Sequence, residues 1–119
     1  MMLYKYKESY KKIAMGLLSF IPDLKELSHL QEVMDWYAQS EERQLYLWQN
    51  DHGDFAGVVG VEVVPDLVLV REIAVSPAQR QEGVTYLMLD ELEKLYQRKL
   101  MGSIEVSSLI TKWEQRKNG

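Results

Sequence analysis

Cysteine is absent from the 119 residues of the chain. Its absence excludes disulfides, thiolate zinc sites, iron–sulfur clusters and a cysteine nucleophile. It also fits a reducing cytoplasm, where we expect the protein to reside. Histidine is nearly absent, with His29 and His52 the only two. They offer no matching ligand set for a metal and no Ser-His-Asp arrangement, so no metal site is expected. A basic surplus is lacking as well. Lys plus Arg number 14 against 18 Asp plus Glu, a net charge of −4. That balance argues against a dedicated nucleic-acid binder and against adhesion to an anionic membrane. Long hydrophobic runs are missing. Stretches such as residues 56–64 fall far short of the ~20 apolar residues of a membrane helix. No apolar run of signal-peptide length follows the start Met-Met-Leu-Tyr-Lys-Tyr-Lys. Three scattered prolines and no Gly/Ser linker or repeat leave nothing to divide the chain, so residues 1–119 read as one domain.

What is present is an ordinary globular composition, 46% hydrophobic and 27% charged, enough for one modest core. Residues 2–7 alternate weakly, as a short edge strand would. Ser9 offers an N-cap to a helix over residues 10–20, where Ile13, Leu17 and Phe20 recur at helical spacing. Pro22 ends it. Asp23 can cap a second helix with the stripe Leu24, Leu27, Leu30, Met34 and Tyr37. Three strands follow, over residues 45–48, 55–64 and 67–75, separated by the turns Asn50-Asp-His-Gly-Asp54 and Pro65-Asp66. A helix from Gly83 to about Leu100 is ended by Gly102. Residues 104–107 are a strand candidate, and 109–117 a last short helix. The order β-α-α-β-β-β-α-β-α predicts a mixed α/β (α+β) sheet, with a crossover to a parallel strand after the three-strand meander.

The informative stretch is Ile73-Ala-Val-Ser-Pro-Ala-Gln-Arg80-Gln-Glu-Gly83-Val-Thr85. A strong strand runs into a loop with Arg and Gly just before a helix opens. A helix start leaves backbone N–H groups unpaired and carries positive partial charge. Gly83 lets a ligand approach the backbone, and Arg80 can grip an anion with two N–H groups. Together they suit a pyrophosphate. The stretch is neither a P-loop nor a dinucleotide fingerprint, because it lacks Gly-Lys-Ser/Thr and has a single glycine. The alternative is that Pro77 and Gly83 only shape a strand-to-helix connection.

The run Arg80-x-x-Gly83-x-Thr85 after a strand, with an apolar helix behind it, resembles the acyl-CoA loop of the GNAT superfamily of N-acetyltransferases. That family usually has Gly or Ala where Thr85 stands. The element order resembles the family's over nearly the whole chain, as a GNAT-like sheet shortened at its C-terminal end. Residues Lys11-Lys-Ile-Ala-Met-Gly-Leu-Leu-Ser-Phe-Ile-Pro22 and Leu109-Ile-Thr-Lys-Trp-Glu114 are also similar to small acetyltransferase-like proteins encoded with riboflavin-synthesis genes. The resemblance implies acetyl-CoA as acyl donor and an amine acceptor. It implies that Ile73, Ala74 and Val75 offer backbone groups to the pantetheine arm. Gln81, Glu82, Gly83, Val84 and Thr85 would present N–H groups to the pyrophosphate, with Arg80 nearby and the Glu82 side chain turned to solvent.

Acetyl transfer needs a neutral amine, a polarised thioester carbonyl and a proton for the leaving thiolate. Glu72, beside the Ile73-Ala-Val end of the strand, is the first candidate base, and Glu62 on the preceding strand the second. Simple alternation places Val70, Glu72 and Ala74 on one face and Arg71, Ile73 and Val75 on the other. The family often supplies an acidic Tyr from the last helix. Here that helix has Ser107, Ser108 and Thr111 but no Tyr, and Tyr86 and Tyr96 read as packing residues. A non-catalytic acyl-CoA-binding or regulatory protein on the same fold is the alternative, and a cofactor-free interaction module a third reading. A shortened sheet leaves an edge that a homodimer would cover.

Overall fold

The computed structural model describes residues 2–118, without the side chains of residues 80–82 and 118. Five strands form one sheet in the order β1 (Met2–Lys5), β2 (Arg43–Gln49), β3 (Phe55–Val63), β4 (Leu67–Val75), β5 (Lys99–Gly102). The first four pair antiparallel, and β5 joins β4 in parallel. Helices α1 (Lys11–Leu18) and α2 (Leu27–Ala38) lie between β1 and β2. The crossover α3 (Val84–Tyr96) links β4 to β5, and α4 (Ser107–Asn118) follows. The predicted order of elements is the observed one.

The sheet separates two apolar clusters. On one side Val59, Val61, Val68 and Val70 pack against Met88, Leu92, Ile110 and Trp113 of α3 and α4. On the other, Leu45, Leu47, Val58 and Ala74 pack against Leu18, Leu30, Met34 and Tyr37 of α1 and α2. Side chains such as Leu18 and Leu92 are wholly buried, each stabilising the fold by roughly 1.5–3 kcal/mol relative to exposure.

Several local expectations change. Ser9 does not cap α1. It lies in a 3₁₀ turn, Glu8–Tyr10, and α1 opens after Tyr10 without a side-chain cap. Asp23 does not cap α2 either. Pro22, with its fixed φ and no N–H to satisfy, opens a second 3₁₀ turn, Pro22–Leu24, and α2 starts after Glu26. Leu27 therefore leaves the buried stripe and is 69% exposed. Helix α3 stops at Tyr96, where Gln97 adopts the left-handed conformation at φ +53°. Leu100 is then drawn into β5 and buried, and Gly102 ends that strand rather than a helix. The strand expected at residues 104–107 is a turn running into α4, with Ile104 92% exposed.

The change that matters most lies inside β4. Opposite β3, Gly60 pairs with Glu72 and Val61 pairs with Val70, so Arg71 is an extra residue with no opposite number. This is a β-bulge, and it reverses the side-chain alternation of the strand. Val68 and Val70 face α3 and α4, whereas Ala74 faces α1 and α2. Val70 does not share a face with Glu72 and Ala74. Ile73 and Val75 join Val70 on the α3 side instead.

Candidate active site

The sheet opens between β4 and β5. Their pairing runs from Leu67↔Lys99 to Val70↔Gly102. Ser103 closes it, its N–H donating to the Val70 carbonyl at 3.0 Å and its Oγ to the Arg71 carbonyl at 3.2 Å. The chain then turns into α4, with the Ser107 N–H donating to the Ser103 carbonyl at 2.8 Å. Gly102 makes that turn possible, because a Cβ there would sit 2.7 Å from the Ser107 nitrogen. Beyond this point residues 72–74 have a strand partner only on the β3 side among the described residues. An unpaired strand edge offers regularly spaced N–H and C=O groups to an extended amide-bearing arm.

A cavity of 460 Å³ occupies the opening. Asp23, Arg71, Glu72, Ile73, Glu105 and Leu109 are among its lining residues. A smaller hollow of 240 Å³ on the α2 side also touches Arg71 and Glu72, together with Glu32 and Trp36. Glu72 is thus the carboxylate that borders both spaces. Burial pushes its carboxyl above the usual range. The Tyr37 hydroxyl and Arg71 pull it back, and Glu105 adds to the rise.

Glu62, the second candidate base, is not among the residues lining either space. Its carboxylate lies 3.7 Å from Arg71, whose guanidinium centre is 4.9 Å from the Trp36 ring. Arg43 sits over the same ring at 4.2 Å. Cations stacked on an indole contribute modestly where water reaches them, but here they bind α2 to β2 and β4.

Past Val75, a 3₁₀ turn spans Pro77–Glu82, and Gly83 adopts φ +70° before α3 opens. A side chain at Gly83 would be strained, and the space around its absent Cβ is open. Helix α3 therefore opens behind a residue with no side chain to block approach to its backbone. Leading N–H groups of a helix lack helical partners, which suits an anion at Val84 and Thr85. The side chains of Arg80, Gln81 and Glu82 lie outside the described residues, including the expected outward turn of Glu82.

Other polar candidates are engaged elsewhere. Ser107 Oγ donates to the Ile104 carbonyl at 3.2 Å and Thr111 Oγ1 to the Ser107 carbonyl at 3.0 Å. Tyr96 meets Tyr46 hydroxyl to hydroxyl at 2.6 Å, and burial raises its pKa. His29 takes part in a hydrogen bond with the Asp23 carbonyl. Among the described residues no group of three His, Cys, Asp or Glu side chains could hold a metal ion. No helix among them is long and apolar enough to cross a membrane.

One site residue reads from the sequence only as core. Tyr37 donates its hydroxyl to Glu72. It reaches the carboxylate past Gly60, where a Cβ would overlap the phenol. A glycine in the middle of a β-branched strand was the available signal, since it marks a close approach.

No family model matches the chain. An uncharacterized N-acetyltransferase encoded in the lysA 3′ region of Bacillus methanolicus is 39% identical over 115 residues, 95% of each chain. Among solved structures, AAC(6′)-Iy in complex with the bisubstrate analog CoA-S-monomethyl-acetylneamine superimposes with a TM-score of 0.73 at 13% identity, over 98% of this chain and 88% of that one. The aminoglycoside antibiotic 6′-N-acetyltransferase AAC(6′)-Ih from Acinetobacter baumannii gives 0.66 at 18% identity, over 98% and 88%.

Proposed function

The chain belongs to the GNAT-type N-acetyltransferases, and we propose that it transfers an acetyl group from acetyl-CoA to an amine in the opening between β4 and β5. The observation that carries this reading is that Glu72 and Ile73, just past the last residue of β4 that pairs with β5, line one cavity together. That edge suits the amides of a pantetheine arm, through the backbone of Ile73, Ala74 and Val75. The backbone N–H groups of Gly83, Val84 and Thr85 suit the pyrophosphate, with Gln81 and Glu82 adding N–H groups and Arg80 charge. The N-acetyltransferase names of the relative and of the structural neighbours support an amine as acceptor.

Asp23, Glu72 and Glu105 outnumber Arg71 around the cavity, so it favours a cationic acceptor that arrives as an ammonium. Glu72 would take the proton the ammonium must lose before its nitrogen pair attacks the thioester carbon. Burial raises the carboxyl, which makes its ionised form a stronger base. Carbon–sulfur cleavage then follows carbon–nitrogen bond formation; the thiolate leaves with the electron pair of the broken bond and takes the proton that the attached nitrogen sheds as the amide forms. Positioning supplies much of the acceleration. We read residues 1–119 as one domain acting in the cytoplasm, with no nucleic-acid or membrane partner. A homodimer covering the β5 edge is the form to look for by sedimentation. Flavin-pathway amines come first in the acceptor panel, from the likeness to proteins encoded with riboflavin genes.

A second reading is a non-catalytic acyl-CoA-binding protein. The absence of a tyrosine from α4, together with the engaged hydroxyls of Ser107 and Thr111, favours it. Calorimetric titration with acetyl-CoA tests both readings, and thiol release with an amine panel separates them. Saturable binding is expected. Arg80→Ala combined with Gly83→Asp should abolish it while leaving thermal unfolding cooperative. Unchanged affinity would reject the loop assignment.

A further inference from the structure

Tyr37 stands in an otherwise apolar stripe with Leu30 and Met34. It is 6% exposed. A phenol in such a place needs a partner for its hydroxyl, and the partner is Glu72, 35 residues away in sequence. Tyr37 is not a source of protons for the reaction. Burial and the neighbouring Glu72 and Glu62 carboxylates hold its hydroxyl protonated far above the usual phenol range, and its side chain is enclosed. What it can do is donate one fixed hydrogen bond to a carboxylate that accepts and does not donate when ionised.

We propose that Tyr37 is a positioning residue for Glu72, its hydroxyl donating to the carboxylate and aiming it at the β4–β5 cavity, with Gly60 as the gap through which the ring reaches it. The assignment of a base to Glu72 rests on the proposed acetyl transfer, whereas the Tyr37–Glu72 coupling does not. Other charges also face Glu72. Arg71 on β4 favours the ionised form, and Glu105 before α4 opposes it. Asp23 before α2 and Glu32 on α2 line the two adjoining spaces. Glu62 on β3 reaches Glu72 through its partner Arg71.

The decisive experiment is an NMR titration of the full chain labelled with ¹³C at the glutamate carboxyls, with Glu72→Gln identifying the Glu72 signal. A hydrogen bond to the ionised form lowers a carboxyl pKa, so Tyr37→Phe should move the Glu72 midpoint upward. A merely structural tyrosine would lower the unfolding temperature and leave the midpoint in place, and that result overturns the proposal. Should Tyr37→Phe fail to fold, the Tyr37 ¹³Cζ signal of the wild type serves instead. It should step at the Glu72 midpoint and lose that step in Glu72→Gln, and a signal indifferent to the substitution overturns the proposal. With an acceptor in hand, Tyr37→Phe should lower kcat/KM about tenfold, as loss of a charge-assisted bond implies. The acid limb of its pH profile should move up, with the KM for acetyl-CoA unchanged. A shifted midpoint in a protein that transfers no acetyl group would leave the pair standing and overturn the acetyl-transfer reading.

Discussion

Residues 67–70 and residues 72–75 belong to one strand, yet they meet different surroundings. The first stretch is paired on both sides, to β3 and β5, and sends Val68 and Val70 into the dry cluster under α3 and α4. The second pairs with β3, lies past the last β5 pair, and sends Glu72 toward Tyr37 beside a cavity. Arg71 divides them. The bulge there does two things at once. It turns the even-numbered side chains from one face to the other, and it coincides with the point where β5 leaves the sheet. One half of the strand holds the fold together, and the other exposes backbone and a carboxylate to ligands. A single inserted residue lets a stable strand continue into a binding edge without carrying a charge into the apolar cluster.

Deleting Arg71 attacks the division itself and should have the largest effect. Regular alternation would then force either the valines or Glu72 and Ala74 onto the wrong face. A loss of more than about 4 kcal/mol is expected, read by urea unfolding. A stably folded deletion variant would show that the bulge is dispensable. Next, Leu100→Ala weakens the paired half by removing a buried β5 side chain. About 3 kcal/mol should be lost, while the folded fraction binds acetyl-CoA with unchanged affinity in calorimetry. Altered affinity would mean that the two halves are not separable.

Glu72→Gln acts on the open half, and its effects on rate and stability should have opposite signs. The rate kcat/KM should fall about 100-fold, the lower end for loss of a general base. Stability should rise slightly at neutral pH. Burial raises the Glu72 carboxyl in the folded state. Its contribution is therefore full below the unfolded value and is lost as pH rises through the folded value. Above that window the buried charge destabilises the wild type, and glutamine removes it. Thermal scans should show the variant ahead by a few °C at pH 7. The gap should close below the ordinary carboxylate range. A variant less stable at pH 7 would mean that ionised Glu72 strengthens the fold.

Much of the architecture was readable from local pattern. The three central strands, the crossover helix and the loop with Gly83 follow from hydrophobic period and turn chemistry, which act over a few residues. The errors arose where neighbours decide. Ser9 and Asp23 are good caps in isolation, but 3₁₀ turns took both positions. Leu100 fits a helical stripe as well as a strand, and parallel pairing with Val68 settled it. Tyr37 looked like core and is core, but its hydroxyl had no visible partner until the sheet brought Glu72 to it.

The sequence by itself determined the order of the elements, the three central strands and the glycine-bearing turn into α3, because each depends on residues adjacent along the chain. Only the tertiary structure decided which way Glu72 faces. Side-chain direction in a strand depends on counting residues against a partner, and the extra residue at Arg71 exists only relative to β3. The same pairing selected Tyr37 as the partner of Glu72 and left residues 72–74 without a β5 neighbour.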